Sequence, residues 1–164
     1  MFIHDFIRVD RPLDQVVATF GETVRPQLAE ILKQAYRPDR ATWIEAGARG
    51  PDITPPGWVA VEVGVARLRE NAVVIPIEWN PTGGRLVASV DADLQLSGCG
   101  PHFTDLDMLG RYRLADPVPR LSGDADIARR ITVTVLRRFL QSLSGILDAG
   151  GGTPSAGTVT AMSA

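Results

Sequence analysis

Polar side chains capable of proton transfer alternate with apolar ones along residues 102–114. His102, Thr104 and Tyr112 share one strand parity with Leu106 and Met108, so a β-strand would place all five on a single face. A ligand pocket is mostly apolar, with a few polar groups that orient its occupant. No nucleophile or carboxylate shares this parity to complete a catalytic dyad. The pattern predicts pocket-lining groups; the alternative is that the histidine and threonine are solvated at a mouth and the tyrosine only packs.

The tryptophans are the largest apolar side chains of the chain. Trp43, Trp58 and Trp79 can each line a cavity and direct an indole N–H into it, or simply pack in a core. Glu78 precedes Trp79 and falls on the opposite parity, so we expect it to be solvated. Pro76 lies in the same run and predicts an edge or a bulge there, which is the one feature that would turn the glutamate inward.

Carboxylates recur on the polar parity of two neighbouring runs. Asp91, Asp93, Asp105 and Asp107 should share one outer face, because a glycine-rich turn joins their strands. Clustered carboxylates can hold a hard cation, but a flat sheet face cannot wrap enough oxygens around it, and arginines share this face. We predict a charge-balanced outer surface and no metal site. Cys99 is the only cysteine, so it forms no disulfide within the chain.

Composition limits the class of protein. The chain of 164 residues carries a net charge of −2 and is 45% hydrophobic, which predicts one globular domain. The slightly acidic balance argues against a nucleic-acid partner. No apolar run approaches the roughly 20 residues of a membrane span, and the first residues do not form a signal peptide, so we expect a cytoplasmic protein. The glycines at 150–152 follow a helical pattern, not a strand, so they predict no phosphate loop and no cofactor.

Hydrophobic periodicity places these residues on elements. Helical spacing after the first strand predicts two short helices, the first ended by Gly21 and the second running from Thr23 to about Tyr36. Apolar residues at helical spacing then predict one long helix over 122–149, through a β-branched run at 131–135. Such a helix needs an apolar surface to lie on. Alternation of period two predicts strands at 2–9, 41–48, 58–69, 72–79, 86–96 and 102–114.

Three segments resemble one superfamily. Residues 7–17 (IRVDRPLDQVV), 74–79 (VIPIEW) and 104–112 (TDLDMLGRY) are similar to its first strand and helix start, to a strand of its actinobacterial members, and to its TxLxLxGxY strand. This is the START-like, or SRPBCC, superfamily of the helix-grip fold, which includes polyketide cyclase/dehydrase-like and Bet v 1-like proteins. The resemblance implies an α+β fold, in which a curved antiparallel sheet of six to seven strands wraps around the C-terminal helix and encloses a cavity.

We therefore predict a START-like domain over residues 1–149 with a flexible tail at 150–164. Its expected function is to bind an apolar or amphipathic small molecule between sheet and helix. One alternative is a polyketide cyclase or dehydrase using His102, Tyr112 or an inward Glu78; the absence of a clear pair weighs against an enzyme. Another is a protein-interaction module, which would need an apolar patch on the outer sheet face. The predicted cavity wall comprises Trp43, Trp79, Val90, His102, Thr104, Leu106, Met108, Tyr112, Ile131, Val135 and Phe139.

Overall fold

The computed structural model of the chain describes residues 1–37, 44, 58–82, 88–114 and 124–150. Trp43 and the tail after Gly150 therefore lie outside the described residues. Ile44 is the one described residue of the strand predicted at 41–48, and its helical conformation contradicts a strand there. The strands are β1 (Phe2–Val9), β2 (Trp58–Val63), β3 (Arg67–Arg69), β4 (Ala72–Thr82), β5 (Ala88–Gly98) and β6 (Thr104–Leu114), and the helices are α1 (Leu13–Thr19), α2 (Leu28–Ala35) and α3 (Asp124–Ala149).

The six described strands form one curved antiparallel sheet in the order β1-β6-β5-β4-β2, with β3 also paired to β4. The long run predicted at 58–69 is divided into β2 and β3, which pair with the two halves of β4. The division lies at Gly64, whose N–H donates to the Pro76 carbonyl at 2.8 Å. Because Pro76 has no N–H to return toward that edge, the ladder is interrupted there. The proline nevertheless leaves the side-chain parity of β4 intact, and Glu78 is exposed as expected.

The two N-terminal helices are continuous with each other, so the prediction of a stop at Gly21 is wrong. A π-helical turn (Phe20–Val24) and a 3-10 turn (Arg25–Gln27) join α1 to α2, with Gln27 departing from helical backbone angles at φ −115° and ψ 9°. Pro26 cannot donate an i→i−4 hydrogen bond and its ring crowds the preceding turn. A local change of helical pitch accommodates it, while Phe20 and Val24 on this segment remain buried.

The predicted inner face of the sheet is confirmed. Even-numbered residues of β5 and β6 are buried from Ala88 through Tyr112, except that Gly98 and Gly110 are half-buried, while odd-numbered positions are exposed or partly exposed. The long helix α3 lies against this face, and its β-branched run is helical as predicted. The buried residues of α3 are Ala128, Ile131, Thr132, Val135, Leu136, Phe139, Leu140, Leu143, Ser144 and Leu147.

Two polar contacts that the sequence did not predict fix α3 to the rest of the fold. Asp5 lies on the inner parity of the edge strand β1, and its carboxylate, with a side chain 11% exposed, accepts from Arg137 of α3 at 3.0 and 3.1 Å. Arg11 donates to the Leu147 carbonyl at 2.6 Å and to the Thr19 hydroxyl at 3.3 Å. Leu147 lies in the last turn of α3, so a guanidinium beside its carbonyl complements the negative end of the helix dipole. The helix is therefore held by charge at its middle and at its C-terminal end.

The outer face carries the predicted aspartates, two of them beside basic side chains. The Arg8 guanidinium donates to both Asp105 oxygens, at 2.7 and 3.1 Å, and this hydrogen bond holds the pKa of Asp105 below its usual value. His4 Nε2 stands 3.3 Å from Asp107. Exposed apolar side chains also lie on this face, Phe2 being 78% and Leu109 58% exposed. The outer face predicted to be charge-balanced therefore also carries exposed apolar side chains along β1 and β6.

A candidate ligand site between the sheet and α3

An apolar row crosses the inner face at one end of the sheet. Trp79 of β4 is in register with Val90 of β5, and Val90 with Tyr112 of β6. Their parity directs all three toward α3, and each is at most 2% exposed. The Trp79 ring meets Tyr36, just past α2, and Phe139 of α3 in edge-on arrangements, each with centroids 6.3 Å apart. Aromatic rings prefer this geometry, so sheet, α2 and α3 converge on the indole.

The indole nitrogen of Trp79 has no hydrogen-bond partner although it is fully buried. Burial raises the pKa of the neighbouring Tyr36 phenol, and Trp79 acts against this as a nearby donor. The two rings are neighbours, with centroids 6.3 Å apart, and no hydrogen bond joins the indole nitrogen to the phenol oxygen. Leaving a buried donor without an acceptor costs about 1–3 kcal/mol of folding free energy. Most buried polar groups in folded proteins have a partner, so this indole nitrogen is an exception.

The two tyrosine hydroxyls near this row both donate to protein atoms. Tyr36 donates to the Ala88 carbonyl at 3.3 Å, which is long for an O–H···O bond. Tyr112 donates to Met1 Sδ at 2.8 Å. Burial raises the pKa of Tyr112 as well; Arg129 lowers it and Asp126 raises it further. Tyr112 therefore lies near the first turns of α3.

Thr104, at the opposite end of the inner face, has a hydrogen-bond partner. Thr104, the first residue of β6, is completely buried, and its hydroxyl donates to the Arg11 carbonyl at 2.8 Å. That bond joins β6 to the start of the N-terminal helical segment. Thr104 therefore has a structural partner, whereas Trp79, at the other end, does not.

The strand ends nearest Trp79 flank the connections outside the described residues. Trp58 is in register with Thr82, and Ala88 with Leu114. All four positions lie at the end of the sheet that carries the apolar row. Tyr36, which donates to Ala88, brings the end of α2 there too. The described strands therefore end and begin again at this end of the sheet.

Most of the residues predicted to line a cavity are brought into one buried cluster. His102 is an exception: a Cys99 N–H bond to the Phe103 carbonyl closes the turn before β6, so the histidine is exposed and outside the inner face. Trp58, weighed as a wall residue, is 59% exposed. Tyr36 was missed, although it ends the apolar stripe of its helix. The predicted residues within the buried cluster are Trp79, Val90, Leu106, Met108, Tyr112, Ile131, Val135 and Phe139.

The described residues contain no group of three or more His, Cys, Asp or Glu side chains that could hold a metal ion. The proton-transfer candidates are not brought together there, because His102 lies in a turn and Glu78 points outward from β4. Within the same part of the chain, no helix has the length and apolar content needed to cross a membrane. The arrangement offers apolar contacts and one directed donor, the Trp79 indole N–H.

The element order defines the fold class. A strand, a helical segment, further antiparallel strands and a long C-terminal helix against the concave sheet make up the α+β, helix-grip arrangement that the sequence predicted. Searches of family models and of curated proteins find no match.

Comparison with solved structures finds distant likenesses. The Zhui aromatase/cyclase from a Streptomyces species is 10% identical, with a TM-score of 0.48 over 94% of this chain and 98% of that one. A START superfamily protein from Mycobacterium smegmatis is 12% identical, with a TM-score of 0.35 over 91% and 95%. The human StarD13 lipid transfer and protein localization domain is 13% identical, with a TM-score of 0.35 over 87% and 76%. At these scores the matches carry no inference about activity or ligand.

Proposed function

We propose that this protein binds an apolar or amphipathic small molecule between the inner sheet face and α3, at the end marked by Trp79. The observation that carries the proposal is the buried indole N–H without an acceptor. Folded proteins leave few such groups unpaired, and an apolar site with a few directed polar groups is the usual form of a small-molecule site.

The contrast between the two ends of the inner face supports this location. Thr104 and Asp5, the polar side chains on the inner parity of β6 and β1, have protein partners. Trp79 lacks one, and it lies among Tyr36 and Phe139. A bound molecule at this end would both extend the apolar contacts and supply the missing acceptor.

The first test is direct. The protein is purified natively, and its small-molecule content is identified by mass spectrometry under non-denaturing and then denaturing conditions. We expect an apolar molecule that is retained under the first condition and released under the second. A protein that carries nothing, and that also fails to bind an apolar dye such as 1-anilinonaphthalene-8-sulfonate, would refute the proposal.

The second test locates the site with a matched pair of variants on α3. Val135 is 1% exposed and faces the sheet, whereas Val133 is 36% exposed on the same helix. Val135→Phe should weaken dye binding by filling the space between sheet and helix, and Val133→Phe should leave it unchanged. Overpacking costs about 1–3 kcal/mol, so the thermal midpoint is measured for both, with Val135→Leu as a milder substitution. Equal dye binding by folded Val135 and Val133 variants would place the site elsewhere.

The cyclase or dehydrase alternative has no specific observation in its favour. It required two proton-transfer groups to converge on the inner face, and among the described residues His102 and Glu78 are both exposed away from it. Tyr112, the third candidate, donates its hydroxyl hydrogen to Met1. Binding without a chemical step is the function that these positions support.

A further inference from the structure

Two hydrogen-bond donors lie side by side at the centre of the proposed site. Trp79 Nε1 is a donor only and has no acceptor. The Tyr36 hydroxyl, also fully buried, reaches the Ala88 carbonyl at 3.3 Å, beyond the usual 2.7–2.8 Å of a hydroxyl bond. The rings of the two residues meet edge-on at 6.3 Å. One oxygen atom near both groups would satisfy the indole and offer the phenol a stronger acceptor.

We infer that the ligand presents a neutral acceptor oxygen, a carbonyl of the ketone, quinone or ester class, to Trp79 Nε1, with the Tyr36 hydroxyl as the second donor. This inference rests on the proposed function and specifies the ligand's chemistry. It follows from the donors present and from the surroundings of the indole.

The surroundings of Trp79 favour a neutral oxygen over a carboxylate. Its neighbours by strand register are Val61 and Val90, and Phe139 covers it from α3. Of the cations that hold α3, Arg137 is paired with Asp5 and Arg11 with the end of the helix. A carboxylate beside the indole would lose its hydration among these apolar neighbours, which is strongly unfavourable. A carbonyl oxygen needs only the two donors.

The test uses two probes that differ in one group. The probe 2-acetylnaphthalene carries a carbonyl, and 2-ethylnaphthalene has nearly the same shape without an acceptor. Binding of each is measured by isothermal titration calorimetry to the wild type, Trp79→Phe and Tyr36→Phe. Trp58→Phe is the matched control, because it removes an exposed indole. The indole N–H signals of the ¹⁵N-labelled wild type are followed in parallel, and the Trp79 signal is assigned by elimination from Trp43→Phe and Trp58→Phe, which leave Trp79 unaltered.

We expect 2-acetylnaphthalene to bind Trp79→Phe about three- to tenfold more weakly than the wild type, as the loss of one hydrogen bond implies. The loss in Tyr36→Phe should be smaller. The preference of 2-acetylnaphthalene over 2-ethylnaphthalene should fall by the same factor in Trp79→Phe and remain unchanged in Trp58→Phe. In the wild type, the Trp79 indole N–H signal should move downfield with the ketone only.

The two hypotheses fail in different ways. If both naphthalenes bind the wild type and Trp79→Phe with the same preference, and neither moves the indole signal, the inference of an acceptor is overturned while the binding function stands. If neither probe binds the wild type, the proposed function and the inference fail together. The indole signal is read in the unaltered protein, so the test remains decisive even if Trp79→Phe does not fold.

Discussion

Replacing Gly110 with alanine tests the close approach of β5 to β6 at this position of the sheet. Gly110 of β6 is in register with Ala92 of β5 on the inner face. A Cβ added at Gly110 would clash with the Asp91 carbonyl oxygen and the Ala92 Cβ, and would stand 2.5 Å from the Ala92 Cα. Two of these three atoms belong to the backbone, so rotating a side chain cannot relieve the contact. Glycine is required here by the close approach of the neighbouring strand.

The expected magnitude follows from this geometry. Overpacking a tight site costs about 1–3 kcal/mol, and a backbone clash belongs at the upper end, about 3 kcal/mol. For a domain of this size, 1 kcal/mol lowers the thermal midpoint by about 2–4 °C. Gly110→Ala should therefore lower the midpoint by about 6–12 °C. The measurement is unfolding followed by circular dichroism, on heating and in urea.

The same substitution elsewhere in the chain is the control. Gly145 is exposed near the C-terminal end of α3, and a Cβ there meets nothing within 4 Å. Gly145→Ala should stabilise the protein by about 0.5–1 kcal/mol, because alanine loses less entropy in a helix. Adding Ala92→Gly to Gly110→Ala removes only one of the three contacts, so less than half of the lost stability should return. A Gly110→Ala protein with a wild-type midpoint would refute the close approach of β5 and β6.

Three further predictions concern charge and titration. Burial raises the pKa of Tyr36 and Tyr112, the only tyrosines of the chain. Each therefore binds its proton more tightly when folded, and the stability it contributes is complete below pH 10 and is lost as the pH rises further. Absorbance at 295 nm should show no phenolate midpoint near 10 until urea unfolds the chain; a native midpoint of 10 would contradict this. Arg11→Met should lower the free energy of unfolding by about 1 kcal/mol and speed hydrogen exchange in the last turn of α3, because the bond to the Leu147 carbonyl is lost. Unchanged exchange would show that this bond does not stabilise the end of the helix. The hydrogen bond from Arg8 holds the pKa of Asp105 below its ordinary value of 3.8, so the stability from this pair is present above pH 3.8 and is lost on acidification. In Asp105→Asn, the free energy of unfolding in urea should therefore depend less on pH below pH 4. A pH dependence equal to that of the wild type would argue against the pair.

The edge strand β1 exposes large apolar side chains on its outer face. Phe2 and Phe6 of the edge strand are 78% and 59% exposed, and Arg111 lies over the Phe2 ring at 5.1 Å. Exposed apolar side chains on an edge strand favour association between chains. The inner parity of the same strand carries Asp5, whose carboxylate also accepts from the Phe6 N–H at 3.0 Å. This bond occupies one of the groups that a further strand would need.

The inner face and the long helix could be predicted from the sequence because their signals are local. Side chains alternate strictly along a strand, so apolar residues at 88, 90, 92, 94 and 96 identify one face without knowledge of the partner strand. The stripe from Ile131 through Phe139 identified α3 in the same way, since helical period outweighs β-branched propensity when a whole face is consistent. Most of the predicted wall followed from these two periods, and Trp79 is buried on the inner face that its parity predicted.

Contacts between distant segments were decided only by the tertiary structure. The sequence predicts that the helix ends at Gly21, because glycine has a low helix propensity. In the structure the helical segment continues through Gly21, with Phe20 and Val24 buried on it. His102 was assigned to a strand, but the turn that closes through Cys99 ends before the strand begins.

The sequence by itself determined the faces of the strands and the apolar character of the interior, because both depend on spacing along the chain. The fold class followed from the order of the predicted elements together with the resemblance to a known superfamily. Tertiary structure decided that Asp5 meets Arg137, 132 residues away, and that Arg11 meets the end of α3, 136 residues away. It also left the Trp79 indole N–H without an acceptor. Hydrogen bonding depends on distance and angle in space, and no period in the sequence encodes those.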